Sequence, residues 1–178
     1  MTSRAHRVEA TAPAHPQRRG TNEVAEWYRF RLGWPVEITD SGVDLPLAGG
    51  MVAFEVPVHL AGGVLKRLTE LGAVGPALRT GVGKDRVTFL CDVNDIVITQ
   101  ADVPLGVRYL RVGTVLPLPS PRPSGAWFVA PDPDRGWLPS ASAVLHAVWR
   151  TTTAAARVMS SGFAVRHVGQ ARPRRGFA

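Results

Sequence analysis

Glu55 is the residue whose type and position could most directly support chemistry. It lies in the apolar stretch "MVAFEVPVHLAGG", residues 51–63, which predicts a short buried strand followed by a turn and a helix. Side chains at positions i and i+2 of a strand point to the same face, so two carboxylates at that spacing could hold one cation between them. The residue two positions after Glu55 is Pro57, which has no side-chain oxygen. The stretch therefore contains half of a two-carboxylate metal site.

The glycine-rich stretch "RTGVGKD", residues 79–85, is a weaker candidate for phosphate chemistry. A nucleotide-binding P-loop would need a glycine five residues before Gly83 and a serine or threonine directly after Lys84. The chain has Leu78 and Asp85 at those two positions. The P-loop interpretation is therefore set aside.

Histidine and cysteine offer little for metal binding or nucleophilic catalysis. The five histidines are scattered, and none forms a pair of ligands at i and i+4 of a helix. Cys91 ends an apolar strand with no histidine nearby in the sequence, which predicts a small buried core residue. A single cysteine excludes an intramolecular disulfide and fits a reducing, cytoplasmic setting.

The formal net charge of +7 suggests a nucleic-acid partner, but the charge is unevenly distributed. Residues 1–20 carry a net +3 and residues 150–178 a net +6, so residues 21–149 carry a net −2. The arginine-rich ends should be disordered and should contact phosphates without sequence preference, and Arg172, Arg174 and Arg175 are the candidate nucleic-acid-binding residues. A solvated end that keeps the protein in solution is the alternative.

Length and hydropathy predict one domain without a membrane partner. A chain of 178 residues of which 45% are hydrophobic can bury a core of its own. No apolar run reaches the roughly 18–20 residues that a membrane helix needs, and the N-terminus lacks the apolar segment of a secretory signal. We expect a domain over residues 21–158, a basic disordered tail over 1–20 and a basic flexible tail over 159–178.

Hydrophobic periodicity predicts a mixed order of helices and strands. Helices are expected at 21–33, at 64–73 and from Ser140 onward, the first with a cap at Thr21 or Asn22 and an end at Gly33. Strands are expected in "WPVEI", "GVDLP", "MVAFEV", "RVTFLC", "DIVITQ", "YLRVGTVLPL" and its hairpin partner "AWFVAP". This order predicts an α+β sandwich with a mostly antiparallel sheet and helices packed on one face.

Four tryptophans, Trp34, Trp127, Trp137 and Trp149, could stack on nucleobases. Large aromatic side chains at strand and helix positions more often belong to the core, which is the prediction here.

Four stretches taken in order resemble one family, the N-terminal domain of bifunctional DNA primase/polymerases (prim-pol) in the archaeo-eukaryotic primase superfamily. "FRLGWPVEI" is similar to the family's first helix and its "GWPV"-like strand, and "MVAFEVPVHLAGGVLKRL" to its Asp-x-Asp strand and following helix. "RTGVGKDRVTFL" is similar to its S/T-G-x-G turn before a strand bearing a histidine, and "VGTVLPLPSPRPSGAWFV" to a later strand with an S-G turn. The resemblance covers roughly residues 24–130 and is to degenerate members of actinobacterial type.

The resemblance implies an RRM-related core and a damaged active site. The family's Asp-x-Asp pair falls on Glu55 and Pro57, its histidine falls on Arg86, and its third acid falls near residues 107–109, where this chain has none. Two Mg²⁺ ions need several hard oxygen ligands, so nucleotidyl transfer is not expected. Glu55 and Arg86 would be vestigial catalytic residues, with Thr80, Gly81, Gly83 and Lys84 as phosphate-binding residues. Alternatively, Arg86 is an exposed strand arginine and Glu55 pairs with a neighbouring arginine.

We therefore expect a non-catalytic bacterial protein that binds a nucleotide, a nucleic acid or a protein partner and needs no cofactor. One alternative is an active DNA primase/polymerase that uses Mg²⁺ or Mn²⁺ held by Glu55 together with Asp44 or Asp102. Another is a protein-interaction module that uses "PLPSPRP", residues 117–123, although its prolines do not have the PxxP spacing.

Overall fold

The computed structural model describes residues 20–80, 82–93, 96–120 and 126–166. The α-helices are α1 (Thr21–Leu32), α2 (Val58–Glu70) and α3 (Ala141–Arg166). The strands are β1 (Glu37–Thr39), β2 (Gly42–Pro46), β3 (Met51–Pro57), β4 (Ala77–Thr80), β5 (Arg86–Asp92), β6 (Arg108–Leu110), β7 (Val115–Leu118) and β8 (Ala126–Val129). Short 3₁₀ turns cover Val82–Lys84 and Gln100–Asp102.

The strands form two antiparallel sheets, so the predicted α+β fold with antiparallel sheets and packed helices is confirmed. The larger sheet has the order β6-β3-β5-β4-β8, and the smaller sheet has the order β1-β2-β7. Helix α2 joins β3 to β4, and β5 then returns between those two strands. Strand β3 is thus paired on both sides near the middle of the sheet.

The two faces of the larger sheet are covered by different elements because side chains along β3 alternate between them. Val52, Phe54 and Val56 pack in one hydrophobic cluster with residues of α2 and α3. Met51 and Ala53 belong to a second cluster, formed with α1 and the smaller sheet. Helices therefore cover both faces of the larger sheet, so the prediction that they pack on one face is wrong. The side chain of Glu55 shares the face of Met51 and Ala53 and lies beyond the apolar cover.

Helix α1 and the smaller sheet are joined to the rest by buried aromatic side chains. Tyr28 is fully buried, its ring stacks on that of Trp34 with centroids 5.9 Å apart, and its hydroxyl donates to the backbone oxygen of Pro119 at 3.0 Å. Burial raises the pKa of the Tyr28 phenol, and a hydrogen bond with Trp127 acts in the opposite direction. Trp34 is therefore a core residue, as predicted. Trp137 and Trp149 are 45% and 46% exposed, so the core prediction is wrong for those two.

Helix α1 has the predicted length but not the predicted cap. Gly33 ends it in the left-handed conformation, with φ 68°, as expected of a C-terminal glycine. The N-cap, however, is Gly20, so the predicted cap at Thr21 or Asn22 is wrong. Helix α2 begins at Val58, earlier than predicted, and Pro57 is its N-cap.

Three strand predictions are wrong. "DIVITQ" forms no strand over its described residues 96–100, where irregular backbone leads into a 3₁₀ turn. "YLRVGTVLPL" divides into β6 and β7, which belong to different sheets, with Gly113 at φ 90° between them. β8 pairs with β4 and not with β7. "WPVEI" contributes only its last two residues to β1.

Helix α3 packs beside α2 and continues past residue 158, where the sequence predicted the domain to end. The basic tail over 1–20 lies outside the described residues apart from Gly20, and so does the part of the C-terminal tail after residue 166. Within the described residues, no helix is both long enough and apolar enough to cross a membrane.

Candidate functional site

Glu55 is placed by the pairing of three strands. Residue 55 of β3 lies opposite Thr88 of β5 and opposite Arg108 of β6. Strand β4 places Thr80 opposite Arg86, which stands two positions before Thr88 on β5. All of these side chains share the face of the sheet that continues into the apolar cluster under α1. We call Glu55, Thr80, Arg86, Thr88 and Arg108 the Glu55 cluster.

Both carboxylate oxygens of Glu55 have partners. Its Oε1 accepts a hydrogen bond from the Thr80 hydroxyl at 3.2 Å. Its Oε2 accepts one from Arg108 Nη1 at 3.0 Å and lies 3.7 Å from Arg86 Nε. The residue is only 6% exposed, so a charge of this kind needs such partners in order to remain buried. The alternative that Glu55 pairs with a neighbouring arginine is therefore what the structure shows.

The threonines of the cluster extend this hydrogen-bonded network inward. Thr88 is fully buried, and its hydroxyl lies 2.8 Å from that of Thr80. Thr80 therefore connects the carboxylate of Glu55 to the hydroxyl of Thr88. Because the Thr80 hydroxyl is engaged on both sides, it supports the position of Glu55 rather than facing a ligand.

The two arginines differ in exposure. The Arg86 side chain is 24% exposed, and its Nη1 and Nη2 donate to the backbone oxygen of Gly106 at 3.1 and 3.2 Å. The Arg108 side chain is 64% exposed and donates to Glu55. Arg86 is thus mainly a brace between β5 and the loop before β6, and not an exposed strand arginine. Arg108 has further N–H groups that face solvent.

The formal charges of the cluster sum to +1, because one carboxylate faces two guanidinium groups. Pro57, two positions after Glu55, lies opposite Arg86 in the sheet and adds no oxygen. A two-metal site needs several anionic oxygens around the ions, whereas this arrangement surrounds its one carboxylate with cations. Guanidinium groups are instead well suited to bind the oxygens of a phosphate.

The predicted phosphate-binding turn is described in part. Gly83 and Lys84 are exposed and both have positive φ, 67° and 59°. They lie in the short connection between Thr80 and Arg86, so the turn adjoins the Glu55 cluster along the chain. Gly81 lies outside the described residues, as do Arg172, Arg174 and Arg175.

The carboxylates proposed as substitute metal ligands have partners of their own. Asp44 lies in the smaller sheet, where its Oδ2 accepts a hydrogen bond from the Thr39 hydroxyl at 3.0 Å. Asp102 lies in a 3₁₀ turn, where its Oδ2 accepts from the backbone N–H and the hydroxyl of Thr99, both at 2.7 Å. In the part of the chain that the structure describes, no three His, Cys, Asp or Glu side chains form a group that could hold a metal ion.

Arg108 is the member of the Glu55 cluster that sequence reasoning missed. The sequence marked residues 107–109 only as lacking an acid, and Arg108 was not singled out. The sequence has an arginine where the resemblance implies a carboxylate, but nothing local connects that arginine with Glu55. The missing information was the pairing of β6 with β3, which places Arg108 opposite Glu55.

Cys91 agrees with its prediction as a buried core residue. It is fully buried, and its Sγ donates to the backbone oxygen of Val52 at 3.5 Å. Burial, and then the charge of Asp92, raise the pKa of the thiol far above its ordinary value. The thiolate that a nucleophile needs is therefore disfavoured here.

Comparisons of the chain with protein-family models, with curated proteins and with solved structures found no match.

Proposed function

We propose that this protein is a non-catalytic domain of the primase-polymerase type that binds the phosphate groups of a nucleotide or a nucleic acid at the Glu55 cluster. Arg108 would be the main contact to the phosphate, supported by Arg86. Glu55 would hold the two guanidinium groups in place and would not coordinate a metal ion.

The order of elements around Glu55 supports the primase-polymerase part of this proposal. β3, α2 and β4 form a crossover unit with β5 inserted between the two strands, which is a split βαβ arrangement. RRM-related cores are built in this way, and the resemblance implies such a core. A second crossover helix would be expected between β5 and β6, where the described residues contain only a 3₁₀ turn. Helix α3, which follows all eight described strands in the sequence, packs beside α2 and occupies the position of that second helix.

The observation that carries the non-catalytic part is the bond between Arg108 and Glu55. Arg108 stands in the range where the resemblance implies a third carboxylate, and it donates to the carboxylate that remains. A divalent ion at Glu55 would have to displace this guanidinium and would then be repelled by both arginines, because like charges at close range are unfavourable. Charge at the cluster thus favours an anion over a cation.

A primer-extension assay tests the absence of catalysis. We expect no template-dependent incorporation of nucleotides with Mg²⁺ or Mn²⁺. Incorporation that disappears in Glu55→Ala would contradict the proposal and favour the active-enzyme alternative. The Glu55→Ala control is necessary because a contaminating polymerase would not respond to that substitution.

Titration with a nucleoside triphosphate tests phosphate binding, with Arg108→Ala as the informative variant and Arg111→Ala as its control. Arg111 is also exposed and follows β6 directly, but it is not part of the cluster. Loss of a charge-assisted contact should weaken binding about tenfold in Arg108→Ala, and Arg111→Ala should change it less than twofold. Equal effects of the two substitutions would mean that only diffuse charge attracts the ligand.

A further inference from the structure

A groove between α2 and α3 collects basic side chains around an exposed tryptophan. It encloses about 410 Å³, and Arg67 of α2 lines it together with His146, Trp149, Arg150 and Arg157 of α3. We call these residues the α2–α3 groove. It lies on the helix-covered side of the larger sheet, whereas the Glu55 cluster lies on the other side. The two surfaces are therefore distinct.

Helical geometry explains why the basic groups converge. His146 and Arg150 are four residues apart and Arg157 follows seven residues later, so these three side chains fall on one stripe of α3. Arg67 joins them from α2 because the two helices pack side by side. The arginines contribute a formal +3, and no acid is among the described lining residues. The nearby Glu70 offsets part of this charge, since its Oε2 lies 3.0 Å from Arg67 Nη1.

Trp149 is exposed and yet held in a fixed orientation. It is 46% exposed, which is unusual for a side chain of this size. Its indole Nε1 donates to the backbone oxygen of Asp102 at 2.9 Å. That backbone is itself fixed by the two hydrogen bonds between Thr99 and the Asp102 carboxylate. The ring is thus anchored at one edge beside the arginines without being buried in the core.

We propose that the α2–α3 groove binds single-stranded nucleic acid, with backbone phosphates on the arginines and a base stacked on Trp149. A cationic groove with an aromatic side chain is the combination that single-stranded nucleic acid requires. Phosphate or an acidic peptide would use the charge but would gain nothing from an exposed indole. Duplex DNA would meet the charge but would not present an unstacked base. This proposal does not depend on the function proposed for the Glu55 cluster.

Binding of a fluorescently labelled oligothymidylate of about 15 nucleotides to the full chain tests the proposal by anisotropy. Arg150→Glu should weaken binding at least fivefold and reduce the slope of log affinity against log salt by about one or more. Trp149→Leu should weaken binding about 5- to 100-fold, the range expected for loss of one stacked base. The intrinsic fluorescence of Trp149 should be quenched by the oligonucleotide, so most of the quenching should be lost in Trp149→Leu.

Trp137 and Arg135 provide matched controls, because they line a different cavity and Trp137 is exposed to nearly the same extent, 45%. Trp137→Leu and Arg135→Glu should each change affinity less than twofold. Circular dichroism shows whether each variant is folded. If Trp149→Leu is not folded, the affinity and salt dependence of Arg150→Glu test the proposal.

Three results would overturn the proposal. The first is an equal loss of affinity in Arg150→Glu and in the control variants. That result would mean that the oligonucleotide binds the terminal arginines or the overall positive charge of the protein. The second is duplex DNA that binds as tightly and quenches Trp149 as strongly as the single strand. The third is a polyglutamate peptide that produces the same quenching at the same charge concentration, which would show an acidic-peptide site.

Discussion

Arg108 Nη1 lies 3.0 Å from Oε2 of Glu55, although 53 residues separate them in the sequence. The contact joins the first and the last strand of the β3-to-β6 segment, and it neutralises a carboxylate that is almost fully buried. In the proposed primase-polymerase interpretation, it also places a cation where the family has a metal-binding carboxylate. The stability of the sheet and the chemistry of the cluster therefore depend on the same pair.

Glu55→Ala should destabilise the protein by about 1–3 kcal/mol, because it removes the buried carboxylate to which Arg108 and the Thr80 hydroxyl donate and with which Arg86 pairs. Arg108→Ala should cost less, since its side chain is 64% exposed and Glu55 keeps Arg86 and Thr80. Urea unfolding of both variants and of the double variant measures the coupling directly, and we expect about 0.5 kcal/mol or more. An unchanged unfolding free energy in Glu55→Ala would contradict the stabilising role assigned to the Glu55 cluster.

The composition of the cluster was only partly readable from the sequence. Glu55 and Arg86 could be singled out because each lies in a short string with a recognisable pattern. Arg108 could not, because its role arises from the register of β6 on β3, and strand partners at long sequence separation leave no local signal. The arginine that pairs with the Glu55 carboxylate is thus determined by the strand register and not by the local sequence.

Pro57→Asp should be more stable than Pro57→Ala by about 1 kcal/mol. Residue 57 is the N-cap of α2, and an aspartate there can accept hydrogen bonds from the first turn, which an alanine cannot. It also lies opposite Arg86, which adds a cross-strand ion pair. Thermal unfolding of the two variants under the same conditions measures the difference. Equal stability would show that the N-terminus of α2 gains nothing from a side-chain cap.

The substitutions Pro57→Asp and Pro57→Ala also bear on the second carboxylate that the resemblance implies at position 57. If Pro57→Asp is stable, then the fold itself does not exclude an acid at this position. Even so, we expect no Mn²⁺ binding by Pro57→Asp in electron paramagnetic resonance titrations, because Arg86 and Arg108 still surround Glu55. Stoichiometric binding by this single variant would mean that the arginines move aside readily.

The fold was predictable where the local sequence of a segment determines its secondary structure. It was not predictable where pairing with a distant strand determines it. Helix α1 and strands β3 and β5 follow from local periodicity and were found as predicted. The apolar run from Tyr109 to Leu118 looks like one strand, yet the left-handed backbone of Gly113 divides it between two sheets. The start of α2 was missed because Gly62 and Gly63 lower helix propensity.

Those two glycines lead to a matched prediction about the packing of α2 on α3. A Cβ added at Gly63 would lie 2.6 Å from Cγ2 of Thr151, whereas a Cβ at Gly62 would meet nothing within 4 Å. Thr151 is held in its rotamer by the bond from its hydroxyl to the backbone oxygen of Ala147 at 2.8 Å. Gly62→Ala should therefore stabilise the protein by up to about 1 kcal/mol, and Gly63→Ala should be less stable than Gly62→Ala by about 1–3 kcal/mol.

Urea unfolding of the two alanine variants measures this difference. Thr151→Ser removes the methyl group that clashes, so it should recover much of the loss when combined with Gly63→Ala. Equal stabilisation by both alanines would mean that the helices are not in close contact at Gly63.

The contact between Asp102 and Thr99 should make stability depend on pH. The Thr99 hydroxyl, and then its backbone N–H, lower the pKa of the Asp102 carboxyl below its ordinary value of 3.8. Because the folded protein has the lower pKa, the stabilising contribution is present above 3.8 and is lost as the pH falls through the folded pKa. The difference in unfolding free energy between wild type and Asp102→Asn should be constant down to about pH 5 and should shrink below that.

Thr99→Val provides the control, because it removes the hydroxyl donor and keeps the carboxylate. It should weaken the same acid-dependent contribution without abolishing it, since the backbone N–H of Thr99 remains bonded. The fluorescence of Trp149 should change over the same pH range, because its indole is bonded to the backbone of Asp102. If Asp102→Asn and wild type differ by a constant amount into strong acid, the carboxylate is not the acceptor that holds this turn, and the anchor of Trp149 must have another basis.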